Sequence, residues 1–317
     1  LPFVKASGEL KSKPTQHSVM KLREIGLSPD LILCRSELPI EQQVRDKIAL
    51  FCNVPPSHVI EGRDVSSIYE VPLTIYKQNA GRLIKDRLKI KKTPQLGILK
   101  KFIKNFKNPK HEVTIAMCGK YTELIDSYKS VMEAFVHAGV ENNARVNIKW
   151  IQTENIKNLK DVEKVFSNIN GVLILPGFGS RGSEGKIKIV KYSRENKIPF
   201  FGICLGLQCA VIEFARNVCK MQGANSTEFN SKTQYPVIDL MESQRAIKIK
   251  GGTMRLGAYE CEIKVGTKAF SAYRTKKISE RHRHRYEVNN RYKKTLEKNG
   301  MVFSGINQEL RVVETIE

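Results

Sequence analysis

The stretch IPFFGICLGLQCA, residues 198–210, sets a cysteine between two glycines, Gly202-Ile203-Cys204-Leu205-Gly206, after a short apolar run and before a helix-like pattern. A run of that length reads as a buried strand and the periodicity after it as a helix, so Cys204 stands on a sharp strand-to-helix turn. Bulky neighbours would clash in so tight a bend, which accounts for the flanking glycines. The turn exposes its central residue at the carboxyl edge of a sheet. The helix N-terminus there offers free N–H groups and partial positive charge, which favour a thiolate and can donate to an oxyanion. The competing reading is a small core residue closing a strand, and the spacing alone does not decide between them.

Outward from this turn, strands and helices alternate. EVTIAMCG (112–119), ARVNIKWI (144–151) and GVLILPG (171–177) read as strands; SYKSVMEAFVHAG (127–139), residues 161–166 and 186–195, and LQCAVIEFARNV (207–218) read as helices. That alternation predicts a parallel, doubly wound α/β sheet. GGTMRLGAYECEIKV (251–265) is strand-rich and reads as an antiparallel extension. The first part of the chain is also mixed α/β, with strands expected at 1–4 and 30–36 and helices at 18–26 and 40–51. Between the two parts, residues 85–110 are basic, punctuated by proline and poor in acid, and read as an interdomain linker joining domains 1–84 and 111–317.

The 317-residue chain carries a formal charge of +22, from 54 Lys and Arg against 32 Asp and Glu. A polyanion is the first partner such an excess suggests. Its lysines are dispersed, however, through a sequence rich in Ile and Asn, as an AT-rich genome gives, and no aromatic-spaced RNA-binding pattern accompanies them. Nucleic acid is therefore not the expected partner. The seven cysteines, at 34, 52, 118, 204, 209, 219 and 261, form no C-x-x-C pair and no zinc-ligand spacing. No metal site is expected from them, and reduced thiols point to the cytoplasm. No leader or membrane-spanning run is evident, and the opening Leu1 sits in a strand-like segment, so the chain reads as an internal part of a longer protein.

Three further clusters could carry chemistry. LPGFGSRGSEG (175–185) follows a predicted strand and lies at the same sheet edge as Cys204. It fails the phosphate-loop pattern, because Gly185-Lys186 is followed by Ile187 and Ser180 stands where the first glycine should be. A backbone N–H of Gly177 or Phe178 could instead complete an oxyanion hole. ERHRHRYEVNN (280–290) is dense in charge; it is either a solvated face or a source of paired N–H donors for a substrate carboxylate. GELKSKPTQHS (8–18) puts Lys11 and Lys13 in a loop suited to triphosphate oxygens, or to solvent alone.

Together, GELKSKPTQHSV, SPDLILCRS, KIALFCNV, NSTEF, GGTMRLGAY and RHRHRYEVNN, with the PGFGSRG and GICLG pair among them, closely resemble the CTP synthase family. The resemblance implies two doubly wound domains. One is the C-terminal portion of a dethiobiotin-synthetase-like amidoligase, the other a class I glutamine amidotransferase. It implies the ATP-dependent amination of UTP to CTP with ammonia from glutamine, in pyrimidine nucleotide synthesis, with Mg2+, activation by GTP, inhibition by CTP, and homotetramers able to form filaments. Its UTP/CTP loop falls on Lys11, Ser12, Lys13, Pro14, Thr15 and Gln16, with Lys47 beyond it; Ser12 replaces the usual threonine and keeps the hydroxyl. Its ATP segment falls on Arg63, Asp64 and Val65. Its nucleophile falls on Cys204, and its glutamine contacts on Gly177, Leu205, Gly206, Leu207, Gln208, Glu228 and Arg285. Charge assigns Arg285 to the substrate carboxylate and Glu228 to its ammonium.

The resemblance also implies a phosphate loop and magnesium carboxylates upstream of Leu1, and a His-Pro-Glu base downstream of Glu317. None of the six histidines, at 17, 58, 111, 137, 282 and 284, is followed two residues later by Glu. The expectation is thus a chain inactive by itself. The alternative class is a non-catalytic, basic nucleotide-binding or scaffold protein that keeps the fold.

Overall fold

The computed structural model describes residues 1–120, 122, 125–240 and 255–317. Of the strand-rich stretch expected at 251–265, the first four residues lie outside those described. The chain divides into two compact units, Leu1–Pro109 and Lys110–Glu317.

The first unit opens with a short hairpin, β1 (Phe3–Val4) against β2 (Glu9–Leu10), and continues into α1 (Lys13–Glu24). The helix starts five residues earlier than expected because Pro14 fits the first turn, where its missing N–H has no partner to lose. Next come β3 (Ile32–Ser36), α2 (Gln42–Cys52) and β4 (Val59–Arg63). β3 and β4 pair in parallel, as a right-handed crossover through α2 allows. Leu10, Val19, Ile32, Cys34, Ile48 and Val59 pack into one core. The unit ends in α3 (Val71–Lys77), α4 (Ala80–Leu88) and α5 (Gly97–Lys107). Residues 85–110, read as a linker, are therefore largely helical. Ile103 is buried and Phe102 packs against Tyr69, ring centres 4.6 Å apart and tilted by 43°, an apolar stripe that the lysines around it obscure.

The second unit holds a parallel four-stranded sheet in the order β6-β5-β7-β8, made of β5 (His111–Gly119), β6 (Ala144–Gln152), β7 (Gly171–Ile174) and β8 (Phe200–Gly202). Strand alternation sends Ala116 and Cys118 to one face and Met117 to the other. Against the first face pack α7 (Leu159–Val165), α8 (Ser183–Glu195) and α9 (Leu205–Asn217), through Val162, Ile189, Val190 and Ile212. Against the second packs α6 (Lys129–Glu141), with Tyr128, Val131 and Phe135 on Leu173 and Leu175. Helices on both faces make the doubly wound arrangement that the alternation predicts.

Two smaller sheets follow. β9 (Asn225–Ser226), β10 (Pro236–Leu240) and β13 (Tyr286–Val288) form one, in the order β13-β10-β9. β11 (Arg255–Ile263), β12 (Lys277–His284), β14 (Phe303–Asn307) and β15 (Val312–Ile316) form an antiparallel sheet, with α10 (Lys268–Tyr273) and α11 (Lys293–Lys298) between strands.

Candidate functional site

Cys204 lies between β8 and α9 with φ 55° and ψ −103°, a left-handed conformation in a residue with a Cβ. Such strain persists only where the surroundings enforce it. Here they do. A Cβ on Gly202 would meet the Gly206 carbonyl carbon at 2.5 Å, and a Cβ on Gly206 would meet the Ile174 carbonyl oxygen at 2.6 Å. The chain therefore cannot relax the bend by shifting either flank. Ile203 N–H donates to the Ile174 carbonyl at 3.1 Å and Gln208 N–H to the Cys204 carbonyl at 3.2 Å, tying the turn to β7 and starting the helix.

The 175–178 turn runs beside the elbow. Gly177 has Leu205 Cδ2, Lys120 Cε and Lys186 Nζ at 3.7, 3.4 and 3.9 Å from the place of the Cβ it lacks. Glu228 accepts a hydrogen bond from Gly179 N–H at 2.7 Å, which brings its carboxylate to this loop. Gln208, 6% exposed, donates from Nε2 to the Tyr286 carbonyl at 3.1 Å, while its Oε1 is buried without a partner among the described residues. Arg285 occupies the single residue between β12 and β13, next to Tyr286, whose hydroxyl is held above its usual range first by burial, then by Glu228, against an opposing pull from Arg285. Gly177 thus lies beside Leu205, Glu228 reaches the same loop and Gln208 reaches Tyr286, next to Arg285; Gly206 serves the bend, and Leu207 packs on the core.

Electrostatics depart from the expectation of an easily ionised thiol. Burial pushes the Cys204 thiol up; the Leu205 N–H and Lys186 pull it down, while Glu228 and Glu287 push it up further. Loss of water outweighs the helix terminus. Even so, Cys204 is partly exposed, whereas Cys118 and Cys209 are buried and burial pushes Cys209 up to about 12. All seven cysteines are free thiols.

His282 and His284 are held elsewhere. His282 Nε2 meets Glu314 at 2.6 Å and His284 Nε2 meets Glu287 at 2.8 Å, and Arg255, 3% exposed, bridges Glu314 and Glu287. The basic motif is thus neither a solvated face nor wholly a binding surface: its histidines join a buried ion network, and Arg285 adjoins the site.

In the first unit, Ser12, Lys13, Pro14, Thr15 and Gln16 form the start of α1, with Ser12 buried and accepting from Gln16 Nε2 at 3.0 Å. Lys11 pairs with Glu9, and the Lys47 charge also acts on Glu9, which places Lys11 and Lys47 at one locus. At the end of β4, Arg63 faces Glu61 at 3.9 Å and Asp64 accepts from Arg35 Nε at 3.0 Å, with Val65 following half-buried. Among the described residues no three His, Cys, Asp or Glu side chains come together in a group that could hold a metal ion.

Lys186 and Lys120 went unassigned in the sequence. The signal was present for Lys186, which falls on the buried stripe of α8 with Ile189, Val190 and Ser193, spaced i, i+3, i+4 and i+7.

Residues 123–317 match the family model for class-I glutamine amidotransferases, and residues 1–90 match that for the CTP synthase N-terminus. CTP synthases of Methanocaldococcus jannaschii and Chlorobaculum tepidum are each 51% identical over the whole chain, which covers 60% and 57% of their lengths. The solved structure titled as a Trypanosoma brucei CTPS glutaminase domain with bound acivicin is 35% identical, with a TM-score of 0.60 over 65% of this chain and 80% of that one. This chain belongs to the CTP synthase family. It spans about three-fifths of the length of the curated relatives it matches. The family's two parts fall on the two units described above, the amidotransferase match lying within the second.

Proposed function

We propose that the protein carrying this chain is a CTP synthase in which Cys204 releases ammonia from glutamine. The observation that carries the reading is the left-handed backbone of Cys204, held between two glycines that have no room for a Cβ. A scaffold protein has no use for that strain, and an attacking thiol does.

The Cys204 sulfur adds to the amide carbon of glutamine as its proton leaves to a base. The carbonyl oxygen becomes an anion facing the backbone N–H groups near Gly177 and Leu205. Collapse breaks the C–N bond and expels ammonia, which takes up that proton; water then opens the thioester to glutamate and restores the thiol. Arg285 clamps the α-carboxylate and Glu228 holds the ammonium. The unpartnered Gln208 Oε1 supports the reading as an acceptor within the site. His282 and His284, held by Glu314 and Glu287, are not the base.

Lys11, just before α1, and the exposed Lys13 at its start, with Lys47, bind the UTP phosphates at a helix N-terminus, and Arg63, Asp64 and Val65 contact ATP. GTP activation and a homotetramer belong to the same reading. A cytoplasmic location fits it; among the described residues no helix is long and apolar enough to cross a membrane. In the protein carrying this chain, Cys204→Ala should abolish CTP formation from glutamine, a loss of roughly a thousandfold or more, and leave formation from free ammonia nearly intact. Loss of both activities together would contradict the assignment.

A further inference from the structure

Beneath the elbow lies a lysine that the mechanism above does not use. Lys186 is 0% exposed, and its Nζ donates to the Leu175 carbonyl at 3.3 Å. Among the described residues the titratable groups that act on it are Cys209, Lys120, Cys118 and Cys204, with no carboxylate among them. A buried ammonium without a counter-ion is costly to keep. The site that could offset that cost is the one it adjoins: Lys186 Nζ comes within 3.9 Å of the vacant Cβ position of Gly177, and Lys120, whose Cε lies 3.4 Å from the same position, donates to the Phe178 carbonyl. The 175–178 turn is therefore pinned at both ends by lysine ammonium groups.

Resting on the reading of Cys204 as the nucleophile, we infer that Lys186 is a positioning residue for its attack. Its ammonium fixes the Gly177 turn through the Leu175 carbonyl and supplies the buried positive charge that the Cys204 thiolate meets as it forms. Around Cys204 the opposing charges are Glu228 and Glu287, and the supporting groups are the Leu205 N–H and Lys186. Removing Lys186 leaves two carboxylates against one backbone N–H, and the thiolate becomes harder to form. Burial itself draws the Lys186 ammonium below its ordinary range, with Lys120 adding to the pull and the three thiols opposing it, so the lysine in turn gains from a thiolate beside it.

The test is alkylation of Cys204 by iodoacetamide from pH 6 to 10, read by peptide mass mapping, in the unaltered chain and in Lys186→Met. The thiolate displaces iodide and the thiol proton passes to buffer. The inference predicts a midpoint moved to higher pH, a rate about tenfold lower at neutral pH, and a rate restored at the alkaline end. A superimposable profile with only a lower melting temperature would show a packing role and overturn it. Should Lys186→Met not fold, the unaltered chain with 13Cε-labelled lysine serves. Alkylating Cys204 should move one lysine resonance to a lower midpoint, by the reciprocity of linked sites, and an unmoved lysine set would overturn the inference. The underlying reading fails separately, if Cys204 in the unaltered chain is not alkylated ahead of Cys219.

Discussion

The elbow around Cys204 and the lysine locus at the start of α1 are two candidate sites built in different ways. At the elbow the backbone does the specifying: a non-glycine residue at φ 55° is locked by carbonyl groups 2.5 to 2.6 Å from absent Cβ atoms. At α1 the specifying groups are side chains, with Lys11 and Lys13 on a helix start whose cap residue Ser12 makes no side-chain bond to the helix backbone. The first kind of site is inseparable from the fold. The second rests on side chains that can change while the fold stands.

The largest effect expected is therefore on stability. Gly206→Ala drives a methyl into the Ile174 carbonyl oxygen at 2.6 Å and should cost about 3 kcal/mol or more. Lys13→Ala removes an exposed charge and should stay within about 0.5 kcal/mol while weakening nucleotide binding. Thermal melts of the two variants check this, and equal losses would erase the distinction.

How much was legible beforehand follows the same division. The parallel sheet of the second unit could be read from its alternating strands and helices, most plainly at β7, a short apolar run buried throughout. The expected strand at 171–177 stops at Ile174, where the chain leaves the sheet for the lysine-pinned turn that no periodicity encodes. Lys186 was passed over because lysine normally marks solvent, although its spacing with Ile189 and Val190 placed it inside. The α5 helix was hidden in the same way by its lysines. Around the candidate site, Gly177 and the arginines of 280–290 stand out in their own loops, but Glu228 and the choice of Arg285 come from motif resemblance alone, since these residues lie on separate segments of the chain. The raised thiol of Cys204 was invisible in the sequence, because burial is a property of the packed chain.

A smaller effect tests whether side-chain charge also acts within the backbone-built site. Arg285→Ala should lower kcat/KM for glutamine by roughly tenfold to a hundredfold, the loss of one charge-assisted contact of about 1.5 to 3 kcal/mol, and leave ammonia-dependent synthesis nearly unchanged. Arg285→Lys should restore little, because an ammonium lacks the planar fork. Equal losses with both nitrogen sources would make Arg285 a structural residue.

The smallest effect concerns the ion network that holds the remaining histidines. The Glu314 hydrogen bond and charge raise His282 above its ordinary 6.5, so its contribution to stability is full below 6.5 and is lost as pH rises through the folded-state value. Burial pushes Glu314 up, but the hydrogen bonds and charges of His282 and Arg255 bring it net below 4.5, so its contribution is present above 4.5 and is lost as pH falls through the folded-state value. Stability from this network should peak between the two, and His282→Gln should flatten the alkaline limb and, because His282 also helps hold Glu314 down, weaken the acid limb in part. Melting temperatures measured from pH 4 to 9 check this; an unchanged alkaline limb in the variant would remove His282 from the account.

The most direct test of the central claim is competition among the seven thiols. A glutamine-mimicking electrophile in limiting amount, followed by peptide mapping, should label Cys204 first, and excess glutamine should protect it. Cys204 has the elbow, the Leu205 N–H and partial exposure together, while Cys219, the other partly exposed thiol, has only burial acting on it. First labelling at Cys219, or labelling of Cys204 that glutamine does not slow, would contradict the claim that the elbow is the glutamine site.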